Sequence, residues 1–164
     1  MLKLLQAINN FINEITLWLA TSIIAVIVLA LFLSAFTRYV SGVGYDWFIE
    51  LPPVLTSWLV FPLLGPLLIK GKHIKVDFIS SYIGEETKSF IRLFVAFIAL
   101  LSGIIFFKAG VEATMLYFNL GQKMELEIDI PIWWMYLAFP TGFLILILFS
   151  LQMICEEINI IRKA

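Results

Sequence analysis

The sequence is poor in the residues from which most catalytic and metal sites are built. It contains one cysteine, Cys155, and one histidine, His73, among its 164 residues. A single cysteine excludes an internal disulfide and a cysteine-clustered metal or iron–sulfur site. A single histidine excludes a haem held by two histidines of this chain. Since the sequence also lacks a Gly-rich phosphate loop, a nucleophile elbow and a zinc signature, we predict that the chain is not an enzyme and has no cofactor or metal of its own.

Charged residues are scarce as well. They make up 14% of the chain, where about 25% is usual. Eleven Lys and Arg residues face twelve Asp and Glu residues, for a net charge of −1, which excludes a basic nucleic-acid binder and an acidic disordered tail. Hydrophobic residues make up 62% and the mean hydropathy is +1.00. A soluble domain of this size could not bury so much apolar surface, so we expect lipid to cover it.

The few charges divide the sequence into four long uncharged stretches. A helix needs about 20 residues to cross the hydrocarbon core, and helices satisfy every backbone group in lipid. We therefore predict an all-α integral membrane protein in which residues 1–164 form a single membrane domain. The predicted spans are residues 15–37, 51–69, 91–111 and 130–155, and residues 70–88 form a loop along the cytoplasmic surface.

The third uncharged stretch is the shortest, because Lys108 follows only 15 uncharged residues. Its ammonium group can reach the interface by snorkelling, so the span is extended to residue 111. Lys108 and Glu112 can pair on one helix face, either at the membrane interface or as part of an ion path. The four uncharged stretches, residues 15–37, 51–69, 93–107 and 130–155, supply none of the charged residues that a transport path usually has at mid-depth.

The Lys and Arg residues near the span ends predict the orientation, since they accumulate on the cytoplasmic side. With four spans, both termini and the middle loop share one side, and that side carries eight such residues. The other side carries three, Arg38, Lys108 and Lys123. We therefore predict a multi-pass protein of a bacterial or archaeal inner membrane with both termini in the cytoplasm.

The residues before the first span follow a helical period. One face of this segment is apolar and the opposite face is polar. The apolar face consists of Leu4, Ile8, Phe11, Ile12 and Ile15, and the polar face of Lys3, Gln6, Asn10 and Asn13. The pattern fits an amphipathic helix lying in the interface, or the polar-flanked beginning of the first transmembrane helix.

Two groups of charged residues face the outer side in this orientation. Arg38 and Glu50 flank a connector of 11 residues, and we expect them to pair and hold the first two helices together. Glu125, Glu127 and Asp129 form an acidic cluster before the fourth span. This cluster is either a solvated edge or a docking patch for a soluble partner.

The second span contains four prolines. Pro52 and Pro53 are expected to open it, where a missing N–H costs little. Pro62 and Pro66 lie inside it, and each removes one backbone hydrogen bond. Because lipid cannot compensate that loss, we expect this helix to pack against protein.

A series of short motifs lies between residues 36 and 78. It begins with Phe-Thr-Arg-Tyr-Val at 36–40 and Trp-Phe-Ile-Glu-Leu at 47–51, and it ends with Lys-Gly-Lys-His-Ile-Lys-Val-Asp at 70–77. Trp58 and Gly65 lie between them. In this order and spacing, the series resembles the small four-helix membrane subunit of tripartite ATP-independent periplasmic (TRAP) transporters. The chain departs from that family after Glu50, where Leu51-Pro52-Pro53 stands in place of a frequent second acidic residue.

The resemblance implies a non-catalytic subunit of a secondary transporter for organic acids. A large multi-helix membrane subunit would carry the substrate and Na⁺ sites, and a periplasmic binding protein would deliver the acid. The small subunit would scaffold the large subunit and help dock the binding protein. It would be in contact with lipid and would bind no nucleic acid. We expect the second span and the loop after it to contact the large subunit. The partner-contact or structural residues implied are Arg38, Trp47, Glu50, Trp58, Pro62, Gly65, Pro66, His73 and Asp77.

Two other functions suit a four-helix membrane protein. A homodimeric exporter of the small multidrug type depends on a carboxylate embedded in its first helix, and residues 15–37 contain none. A membrane anchor of a redox complex needs haem-ligating histidines, and His73 is the only one in the sequence. Co-purification separates the three: a large membrane partner, a second copy, or a coloured soluble partner.

Overall fold

The structure, a computed structural model, describes residues 2–45, 47–70, 85–124 and 129–162, and only the backbone of residues 85–87. These residues form helices α1 (Leu2–Ser41), α2 (Trp47–Ile69), α3 (Glu85–Leu120), α4 (Ile132–Tyr136) and α5 (Ala138–Ile161). Helices α1, α2 and α3 are each long and apolar enough to cross a membrane. Helices α4 and α5 together form a fourth such segment, Ile132–Ile161. The predicted all-α protein with four transmembrane helices is confirmed.

The first helix is continuous from Leu2 to Ser41. Its 40 residues contain neither proline nor glycine and extend about 60 Å at 1.5 Å per residue. The helix ends at Gly42, whose φ of 68° lies in the left-handed region and whose N–H bonds the carbonyl of Arg38. Of the two alternatives for the N-terminal segment, the structure therefore has the second: it is the beginning of the first helix.

The second helix begins earlier than the predicted span. It starts at Trp47, so Pro52 and Pro53 lie within the helix instead of opening it. Each of these prolines lacks the N–H that would bond the carbonyl four residues earlier. The expectation that they stand at the helix start, where this loss is harmless, is wrong.

The third helix is longer than the predicted span at both ends. It begins at Glu85, so the end of the predicted loop 70–88 is helical, while residues 71–84 lie outside the described residues. It continues to Leu120, well past residue 111, and ends before Gly121, which has a φ of 60°. Lys108 and Glu112 are therefore within a continuous helix and not at its end.

Helix α5 is the element around which the others are arranged. It packs along α2 and α3 and also contacts α1, while α1 packs chiefly on α2. In lipid, apolar side chains gain little by moving from lipid to protein, so helices associate through close backbone approach and hydrogen bonds. The contacts of α5 include both close backbone approach and hydrogen bonds.

The contact between α3 and α5 is built on small residues at seven-residue intervals. Ser89, Ala96, Gly103 and Gly110 are the buried residues of α3 among residues 88–120. This spacing keeps them on the face toward the neighbouring helix. A Cβ added to Gly103 would lie 2.9 Å from Cγ1 of Ile147, so larger side chains would push the two helices apart.

The contact between α2 and α5 is closer still. A Cβ added to Gly142 would lie 2.5 Å from the carbonyl carbon and oxygen of Phe61. A Cβ added to Gly65 would lie 2.9 Å from side-chain atoms of Ile145 and Phe149. Glycine at both positions is required by the distance between the backbones.

Four phenylalanine rings lie level with these glycines, and we call them the aromatic layer: Phe61, Phe106, Phe139 and Phe143. Phe61 lies 4.0 Å from Phe139 and 5.9 Å from Phe143, and Phe143 lies 5.2 Å from Phe106, measured between ring centroids. Phe61 stands near the middle of the uncharged stretch 51–69, and Phe143 near the middle of 130–155. The aromatic layer therefore marks the mid-level of the apolar bundle.

The bundle has two distinct ends. The terminal end holds the beginning of α1, the end of α5 and the residues that flank 71–84. The hairpin end holds the end of α1, the beginning of α2, the end of α3 and the beginning of α4. At the hairpin end, the N–H of Met124 bonds the carbonyl of Ile130, and the N–H of Ile132 bonds the carbonyl of Gln122, so residues 122–124 and 130–132 lie side by side.

Candidate partner interface and buried polar groups

The predicted contact residues of α2 lie largely inside the chain. Pro62, Gly65 and Pro66 are buried, and Gly65 packs on α5 as described above. Trp58 is half-buried, and its indole N–H donates to the carbonyl of Trp134 at 3.1 Å. Trp58 and Gly65 thus have neighbours in α4 and α5 of the same chain, and the role of the four residues as contacts of another subunit stays a prediction.

Arg38 and Glu50 do not form the expected pair. The salt bridges among the described residues do not include these two side chains. The Arg38 guanidinium instead lies beside Gly44, where an added Cβ would be 2.9 Å from its Nε. Trp47 stacks on Phe48 with 3.9 Å between ring centroids. The first two helices pack along each other, and the structural role of Arg38 and Glu50 stays a prediction.

The predicted docking patch is described only in part. Asp129 is exposed and accepts a hydrogen bond from Nζ of Lys123 at 2.8 Å. Glu125 and Glu127 lie outside the described residues, as do His73 and Asp77 of the motif after α2. Within the described ranges, His, Cys, Asp and Glu side chains form no group of three or more that could hold a metal ion.

The most connected polar group in the described structure was not predicted from the sequence. Asn9 on α1 donates to Oε1 of Gln152 at 2.7 Å and to the carbonyl of Leu148 at 3.1 Å. Gln152 and Gln6 then both donate to Oε1 of Glu156, at 2.8 and 2.9 Å. We call Gln6, Asn9, Gln152 and Glu156 the polar clamp, because they join the beginning of α1 to the end of α5.

A salt bridge extends this polar region toward α3. Nε of Arg92 lies 2.6 Å from Oε1 of Glu157, whose side chain is 8% exposed. Arg92 also donates to the hydroxyl of Ser89 at 3.1 Å. The carboxylate of Glu157 is almost wholly removed from solvent, so its charge is stabilised in the fold by the guanidinium of Arg92.

The amphipathic pattern before the first span carried a signal for the clamp. Asn9 is 1% exposed, whereas Leu4 and Phe11 are each 66% exposed. The apolar face thus points outward and Gln6 and Asn9 point toward α5, whereas Lys3 and Asn10 are exposed. A helix on a protein in water would be expected to bury its apolar face and expose its polar one. In lipid, the observed orientation places hydrogen-bonding groups where other protein groups can pair with them. Three buried acceptors, Oδ1 of Asn9, Oδ1 of Asn13 and Oε2 of Glu157, have no donor in the described structure.

The pair Lys108 and Glu112 lies at an unexpected depth. Lys108 follows Phe106 of the aromatic layer by two residues, about 3 Å along the helix, and Glu112 by six, about 9 Å. Half of the hydrocarbon core is about 15 Å. Lys108 thus lies inside the predicted span 91–111 and Glu112 one residue beyond it, and the helix continues past both to Leu120.

Comparison with known protein families now identifies the chain. Residues 27–159 match the DctQ component of tripartite ATP-independent periplasmic transporters. The chain belongs to this family. Comparison with curated proteins gave no match. The family member described here is the small membrane subunit of a TRAP transporter, so the resemblance seen in residues 36–78 is confirmed and extends over most of the chain.

Proposed function

We propose that this DctQ subunit is a non-catalytic scaffold for the large membrane subunit of its transporter. In the proposal, the large subunit carries the substrate and Na⁺ sites, and the small subunit fixes it in the membrane. Na⁺-coupled uptake of an organic acid is the reaction of the complex. The small subunit itself would hold neither substrate nor ion.

The packed mid-level of the bundle is the observation that carries this proposal. The rings of Phe61, Phe139 and Phe143 and close glycine contacts occupy the space between α2 and α5, and Gly103 brings α3 against Ile147 of α5. The two charged side chains of α3 near this level, Lys108 and Glu112, are 81% and 69% exposed, and so they point away from the bundle. A transport path needs polar groups around a cavity at this depth, and the described interior offers rings instead.

Reconstitution tests the proposal directly. The chain is co-expressed with the large membrane subunit of its transporter, and both are purified through a tag on the small subunit. Liposomes with the complex, the binding protein and an inward Na⁺ gradient should accumulate the acid, and liposomes with the small subunit alone should not. Uptake by the small subunit alone would contradict the scaffold role.

We propose that the hairpin end takes part in docking the binding protein, on the periplasmic side. The Lys and Arg distribution supports this orientation. Exposed Tyr45 and the exposed pair Lys123–Asp129 lie at this end. Asp129→Lys in the intact complex should lower uptake at limiting binding protein without changing the amount of large subunit that co-purifies. Unchanged uptake at every binding-protein concentration would remove Asp129 from the docking surface.

A further inference from the structure

One face of α3 is exposed along its length and interrupted by charge. Counting at three- and four-residue intervals, this face lies opposite the buried repeat of small residues. All of its members are exposed. We call it the outer stripe, and it consists of Leu101, Ile104, Lys108, Glu112, Met115 and Asn119.

The charges of the outer stripe are in an unfavourable position for contact with lipid. A charged side chain at the centre of a helix costs roughly 2.5–3.5 kcal/mol by insertion measurements. Lys108 and Glu112 are 4.0 Å apart, at the limit of an ion pair, so they compensate each other weakly. Their Cα–Cβ bonds tilt toward the beginning of the helix, which is away from the nearer interface at the hairpin end. Snorkelling out of the hydrocarbon is therefore hindered.

The remaining residues of the stripe are suited to helix packing. Leu101 and Ile104 lie on one side of the charges along α3 and Met115 on the other, with 54%, 52% and 64% exposure. Asn119 adds a hydrogen-bonding amide one turn further. An apolar stripe with polar groups near its middle is the pattern expected where a second helix supplies hydrogen bonds within the membrane.

We propose that the outer stripe binds a transmembrane helix of the large subunit, and that this helix presents polar or charged groups to Lys108 and Glu112. The proposal rests on the scaffold function proposed above and names the surface through which it is exerted. Lipid tails offer no acceptor for Lys108 and no donor for Glu112 at this depth. A helix from another subunit offers both, and the family is that of a multi-component transporter.

Photo-cross-linking in the intact complex tests the surface without altering its charges. A photoreactive phenylalanine replaces Ile104 or Met115 of the stripe, and in control variants it replaces Trp18 or Val28 of α1, which are 75% and 59% exposed. Adducts with the large subunit should form in higher yield from Ile104 and Met115 than from the α1 controls.

The outcomes distinguish this proposal from the function on which it rests. If the large subunit co-purifies but the stripe positions give adducts no more often than the controls, the stripe is not the interface. Adducts only of twice the mass of this chain would also overturn it, since the occupant would be a second copy. If the large subunit fails to co-purify with the unaltered chain, the scaffold function fails first.

Charge replacement gives an independent readout. Lys108→Met, Glu112→Leu and the double variant should each lower the yield of co-purified large subunit roughly three- to tenfold, as expected for one or two polar contacts in a membrane. If the two charges served only to neutralise each other against lipid, the double variant would assemble like the unaltered chain, and that result would overturn the proposal. Lys123→Met with Asp129→Leu is the matched control, because that pair is exposed at the hairpin end. Should a charge variant fail to accumulate in membranes, the cross-linking at Ile104 and Met115 decides.

Discussion

The terminal end and the aromatic layer of this bundle are held together in different ways. At the terminal end, side-chain hydrogen bonds and the Arg92–Glu157 salt bridge join α1, α3 and α5. At the aromatic layer, glycines bring backbones together and rings fill the remaining space. Both kinds of contact are needed because lipid is as apolar as the helices, so burial of apolar area alone favours helix association only weakly. Four substitutions test the contrast, beginning with the largest expected effect.

Gly142→Leu should have the largest effect, because the contact at the aromatic layer is between backbones. An added Cβ alone would stand 2.5 Å from the backbone of Phe61, and neither helix can yield without losing its other contacts. We expect a loss of about 3 kcal/mol or more in the free energy of unfolding. Thermal unfolding in detergent, followed by circular dichroism, measures it. Ala25→Leu on the exposed face of α1 is the control and should change little.

Arg92→Met should come next. It leaves the buried carboxylate of Glu157 without its cation, and since the Arg92 side chain is 42% exposed, we expect a loss of about 2 kcal/mol, less than for a fully buried pair. The double variant Arg92→Met, Glu157→Leu should recover most of that loss. A double variant that is less stable than Arg92→Met would show that Glu157 has another stabilising role.

Asn9→Leu should have a smaller and more local effect. It removes two hydrogen bonds of the polar clamp, which in membranes are worth about 1 kcal/mol together. Amide hydrogen exchange should increase in residues 2–14 and remain unchanged in the rest of α1. Asn10→Leu is the matched control, since Asn10 is exposed on the same helix. Equal exchange in the two variants would mean that the clamp does not hold the beginning of α1.

Lys123→Met should have the smallest effect. Its partner Asp129 is exposed, with 58% and 70% of the two side chains accessible, so the pair contributes less than about 1 kcal/mol. The midpoint of thermal unfolding should shift by no more than the variation between preparations. A shift as large as that of Arg92→Met would contradict the expectation that the exposed pair stabilises the fold less than the buried one.

The outer stripe of α3 shows what a sequence pattern can predict and what it cannot. The pairing of Lys108 with Glu112 was predicted from their spacing, and the structure has it. The level of the pair relative to the other helices was not, because spacing along one helix does not show which residues of the neighbouring helices lie beside it. Only the contacts of Phe106 and Phe143 show which residues of different helices lie level.

Composition, charge spacing and the motifs of residues 36–78 were enough to predict the number of transmembrane helices, lipid as the surrounding medium and the family. These properties follow from residues that are near each other in the chain and from the energetics of a backbone in lipid. Spacing also contained the repeat Ser89, Ala96, Gly103, Gly110 and the polar residues of early α1, but it did not say what they face. Tertiary structure decided that Pro62, Gly65 and Pro66 pack inside the chain, that Asn9 donates a hydrogen bond to Gln152, and that Arg38 lies beside Gly44. Those outcomes depend on how helices distant in sequence cross and register, and the pattern along one helix does not contain that information.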